Sequence, residues 1–170
     1  SAASDVYKRQ RYYVENPLYP LNNAVANLNV DMIGRLDPKR LDKNENYIYL
    51  IGSDRLSEEL HEVSEQANSK YVGLDLDYTF NAENDPNSFY TRSDHYNFAK
   101  ENIPVIFYFN GTHEDYHKPT DTADKINYEL LSKRTRLIFY TAWNLANREE
   151  RIKLNNEWEH SCFIFVSSFY

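Results

Sequence analysis

Residues 110–122 read NGTHEDYHKPTDT, which sets His113, Glu114 and His117 in the order H-E-x-x-H with Tyr116 and Asp121 alongside. That order binds zinc on a helix, where histidines at i and i+4 share one face and the glutamate acts on the bound water. The neighbouring residues argue against a helix. Asn110-Gly111 signals a turn, Pro119 biases Lys118 toward extended backbone, and no apolar residue recurs at helical spacing between Gly111 and Thr122. The expectation is a polar loop carrying imidazole, phenol and carboxylate groups, not a zinc helix. A second candidate is Asp31, set between Val30 and Met32. A carboxylate in such an apolar run is costly unless it is paired, bound to a metal or satisfied by backbone N–H groups. Arg92-Ser93-Asp94-His95 forms a third polar cluster.

The elements around these residues decide whether they can meet. Residues 27–34, NLNVDMIG, suit a short buried strand opening into a loop; 47–52, YIYLIG, suit a second strand, and 105–109, VIFYF, a third. Ser57 opens a capping-box-like S-E-E-L, which predicts a helix to about Tyr71 with Leu56, Leu60, Val63 and Ala67 on one stripe. Ser93-Asp94 can cap a short helix ending near Asn102, ahead of Pro104, and Tyr128 to about Arg151 carries the strongest helical pattern. Strands alternating with helices imply an α/β fold, a mixed and largely parallel sheet flanked by helices, with site residues on loops at strand C-termini. Asp31 ends the first strand, and the other two polar clusters flank the third.

The 170 residues are 41% hydrophobic and 15% aromatic, enough for one domain with a real core. A net charge of −7 excludes nucleic acid as a main partner, and Lys133, Arg134 and Arg136 read as a solvated face. The single Cys162 rules out an internal disulfide framework and any multi-cysteine metal site, so a metal would rest on His and carboxylates. No run of about 18 apolar residues crosses a membrane.

Taken together, NLNVDMIG, RSDHYNFAKENIPVIFYF and DYHKPTDTADKI resemble, in the same order, the C-terminal half of the catalytic domain of the M28 family of co-catalytic zinc aminopeptidases. The resemblance runs from about residue 11 to about 150. It implies an incomplete zinc-aminopeptidase-like fold acting on peptide substrates, with two zinc ions per site in the full-length protein. By the same resemblance Asp31 ligates one zinc and His117 the other, Tyr116 donates to the oxyanion of the tetrahedral intermediate, and Arg92 helps bind substrate. Asp94 and Asp121 orient these groups from behind. His113 and Glu114 are then bystanders. Similar bacterial enzymes are often exported, to the periplasm or outside the cell.

The family's other motifs, H-x-D with its bridging aspartate and the Glu-Glu pair with the general base, are not found; Glu58-Glu59 follows Asp31 instead of preceding it and sits on a helix. The resemblance therefore implies a chain that turns over no substrate by itself. Residues 1–10 read as a non-native leader, 11–152 as a partial peptidase catalytic domain, and 153–170 as a tail of open assignment. Two alternatives stay open: a glutaminyl-cyclase-like acyltransferase with a single zinc, and a non-catalytic domain of the same fold. Asp75-Leu-Asp-Tyr-Thr-Phe80 lacks the glycine of a calcium loop, and the sequon Asn110-Gly-Thr112 reads as a turn.

Overall fold

Period-two alternation in two strands organises the interior. In the computed structural model, which describes residues 10–40 and 44–156, all of Tyr47–Ile51 (β2) and Val105–Phe109 (β4) is buried. Ile48, Leu50, Ile106 and Tyr108 point to one face, where they join Leu60, Ala67 and Leu137. Tyr47, Tyr49, Ile51, Phe107 and Phe109 point to the other, against Met32, Phe80 and Phe89. Each strand thus serves two cores, which is why the runs read as continuously apolar.

Asn27–Val30 (β1) and Asp75–Asp77 (β3) complete a sheet of order β1-β4-β2-β3. β1 runs parallel to β4 and β3 parallel to β2, while β2 and β4 are antiparallel. The sheet is mixed and mostly parallel, as expected, and helices flank it. β3 was not foreseen; its Asp75 and Asp77 are held by ion pairs with Arg40.

Helices Glu58–Tyr71 (α1) and Tyr128–Ala146 (α4) cover the first face. Ser57 caps α1 by accepting from the Leu60 N–H, as its sequence predicts, and Asn127 caps α4 by accepting from Leu130. α4 ends five residues short of Arg151. The Tyr108 hydroxyl meets Ser64 at 2.9 Å and Thr141 at 3.3 Å between the two helices, and burial pushes that phenol up to about 12. The other face carries two short helices, Phe89–Arg92 (α2) and His95–Ala99 (α3). Here the expected cap is absent: neither Ser93 nor Asp94 bonds the α3 N-terminus by its side chain, and Ser93 Oγ instead accepts from Asn29 on β1 at 3.1 Å.

A second correction concerns Arg134. It is no part of a solvated face but is fully buried, donating to the carbonyls of Ile33 (2.7 Å), Tyr47 (3.1 Å) and Arg35 (3.1 Å). Burial lowers its guanidinium to about 10. It lies one helical turn ahead of Leu137 on the core side of α4, so the surrounding basic residues concealed its direction. The leader reading falls mostly on residues 1–9, outside the described residues; Gln10 is helical with residues 11–15. Of the tail, residues 157–170 likewise lie outside them, whereas Asn155 accepts from Glu58 N–H and donates to the Asp54 carbonyl.

Candidate active site at the ends of two parallel strands

Because β1 and β4 are adjacent and parallel, with Val30 opposite Tyr108, their C-terminal loops leave the sheet side by side. Asp31 is the first residue past β1, and its N–H donates to the Tyr108 carbonyl at 3.1 Å as the last rung of the ladder. The loop after β4 begins with the fully buried Asn110, whose amide donates to the Tyr47 carbonyl, so the sequon is structural. Gly111 follows with φ of +90°, and a Cβ there would come within 2.5 Å of Asp37. Only glycine lets the chain turn so close to that carboxylate.

The H-E-x-x-H segment is a set of turns and not a helix, in agreement with its flanking residues. Tyr116 N–H donates to the His113 carbonyl and Lys118 N–H to that of Asp115. Between them the Tyr116 and His117 rings stack at 3.8 Å and 22°. His117 has φ of +58°, as has Met32 beside Asp31. Left-handed backbone in non-glycine residues is strained and clusters where structure is held for a purpose.

Both loops open on one cavity of about 900 Å³, lined by Asp31, Arg92, Asp94, Tyr116, His117 and Asp121 together with His113 and Arg35. All six residues singled out by the sequence meet there. Burial pushes the Asp31 carboxyl up, the Asp94 carboxylate adds to the rise, and His117 counters it. Burial also raises Asp94. Arg92 donates to the Asn87 carbonyl and lies near the Phe89 ring. A smaller adjoining recess is floored by Met32, Phe89, Phe107 and Phe109.

Asp31 and His117 offer a carboxylate and an imidazole, donors that zinc takes, on the wall of one cavity. Among the described residues no group of three or more His, Cys, Asp or Glu side chains could hold a metal ion. Asp31 and His117 are of the residue types that bind zinc, but by themselves they do not make up such a group.

Several supporting residues escaped the sequence reading. Asp115 is buried, and the Lys125 ammonium with the Thr120 and Arg35 side chains holds its carboxyl well below the usual range. Its neighbours in sequence spell a polar loop, so nothing local marked it as interior. Glu114 is exposed, while His113 is buried with Nε2 at 3.7 Å from Asp121.

Comparison with known proteins agrees with the fold. Solved structures of similar fold include the LapA aminopeptidase of Legionella pneumophila (TM-score 0.61, 21% identity, 85% of this chain and 36% of that one). The aminopeptidase from Aneurinibacillus sp. strain AM-1 gives 0.61 and 20% over 89% of this chain and 33% of that one. BSAP, a zinc aminopeptidase from Bacillus subtilis, gives 0.60 and 20% over 86% and 35%. The chain thus spans little more than a third of the length of these structures. No curated protein matches it. The profile of Peptidase family M28 matches residues 10–142, and with most of the sequence so accounted for, the chain belongs to that family.

Proposed function

We propose that this chain is part of a zinc-dependent aminopeptidase that removes N-terminal residues from peptides, and that it contributes one ligand to each of two zinc ions, Asp31 and His117. The observation that carries the reading is the convergence of Asp31, Tyr116 and His117 on one cavity. Zinc bound there would supply Lewis-acid polarisation of a peptide carbonyl. Tyr116, exposed on the cavity wall, would donate a hydrogen bond where negative charge develops on that oxygen. Asp94 and Asp121 would orient the working groups, and Arg92 at the cavity wall would hold substrate.

With two ligands and no candidate base, the chain alone binds zinc weakly and hydrolyses no substrate. Calorimetric zinc titration, paired with an aminoacyl p-nitroanilide assay, tests this. The expected result is weak zinc binding, reduced in Asp31→Ala and in His117→Ala, with no turnover. Two tightly bound ions with turnover would contradict the inactivity; zinc binding untouched by both substitutions would remove the ligand assignment.

A further inference from the structure

The two loops that carry Asp31 and the Tyr116-His117 pair are joined by one guanidinium. Arg35, four residues past Asp31, donates through Nη2 to Asp115 Oδ2 at 3.0 Å and through Nη1 to Asp121 Oδ1 at 3.1 Å. Asp115 immediately precedes Tyr116, and Asp121 lies four residues beyond His117. One side chain therefore holds both ends of the turn on which the tyrosine and histidine ride. Asp115 is fixed further by Lys125 Nζ at 2.8 Å, and Asp121 faces His113 Nε2.

The root of Arg35 is itself anchored. Its carbonyl accepts from the buried Arg134, as does that of Ile33, and the carbonyl of Gly34 accepts from the Asn127 N–H at 2.9 Å. The strut thus runs from a rigid base on the β1 loop to the β4 loop. Only 17% of the Arg35 side chain and 8% of the Asp115 side chain are exposed, so solvent screens the Asp115 bond far less than it would a surface pair. The Asp121 arm is more open, at 42%.

We infer that Arg35 is a positioning residue: by spanning Asp115 and Asp121 it sets the separation between Asp31 and the Tyr116-His117 pair. The planar fork fixes the spacing of the two carboxylates it meets. A lysine ammonium, a compact donor on a flexible stem, can touch both but does not fix their separation. The inference rests on reading Asp31, Tyr116 and His117 as the working groups, and the experiment separates the two.

The stacked Tyr116 ring shields the His117 ring protons, so their NMR shifts report the turn directly. In Arg35→Met, with urea unfolding used to confirm a folded core, the His117 ring signals should move toward exposed-histidine values and the Tyr116 and Lys118 amides should exchange faster. Arg35→Lys should restore these only in part, and Asp121→Asn should loosen the turn while leaving the Asp115–Lys125 pair in place. Where the unsubstituted chain binds zinc, Arg35→Met should weaken that binding about ten-fold or more. Unchanged His117 shifts and amide exchange in Arg35→Met would overturn the positioning role, as would full restoration by lysine. Absence of zinc binding by the unsubstituted chain, with the ring shifts still lost in Arg35→Met, would overturn the metal reading and leave the strut standing.

Discussion

Replacing Arg134 by methionine keeps most of the aliphatic stem but removes a guanidinium from the carbonyls of Ile33, Tyr47 and Arg35, which it meets at 2.7 to 3.1 Å. A hydrogen bond to a charged group contributes about 1.5–3 kcal/mol, and a buried acceptor left bare costs about 1–3 kcal/mol. The three bonds share one donor and do not add, and the burial that lowers this guanidinium to about 10 offsets part of their gain. The net loss should be roughly 3–5 kcal/mol, a large part of the ~5–15 kcal/mol that holds an ordinary domain together. Urea unfolding followed by tryptophan fluorescence and circular dichroism should show the midpoint lowered with the slope unchanged. A loss under about 1 kcal/mol would mean that the carbonyls find water instead, and the account of Arg134 as the tie between the β1 loop and β2 would fail.

His95 is fully buried against Phe107 and Tyr90, and burial lowers its imidazole to about 4. The unfolded chain therefore binds a proton that the folded chain refuses, so this group's contribution is whole above pH 6.5 or so and is lost as the pH falls toward 4, by about 3 kcal/mol in all. The difference in unfolding free energy between the parent chain and His95→Phe, followed from pH 7 to pH 4.5, should drift in favour of the variant; a constant difference would show that His95 takes up its proton in the fold as readily as in the unfolded chain. Gly111→Ala should cost several kcal/mol, since it adds a 2.5 Å contact with Asp37 to a φ of +90°; unfolding within about 1 kcal/mol of the parent would show that the turn can shift.

What the sequence disclosed follows physical range. Patterns local to a few residues were readable: the apolar, aromatic strand of 105–109, the Ser57 cap, and the Asn-Gly and Pro punctuation that keeps 110–122 from forming a helix. The convergence of Asp31 with His117 was readable only through the order of three motifs together. Arg134, Asp115 and Arg35 were misread or missed because their partners lie far away in sequence, Arg134 nearly a hundred residues from Arg35, and charge by itself does not say which way a side chain faces. Strand β3 stayed hidden because it is only three residues long and two of them are aspartates, whose charges Arg40 pairs from a distant part of the chain.

The left-handed backbone at Met32 and His117 sets robustness against precision. Glycine at Met32 would relieve about 1 kcal/mol of left-handed strain but would give up the packing of Met32 on the aromatic core, and at His117 it would delete the imidazole itself. The same relief would free the peptide planes that aim Asp31 and Tyr116.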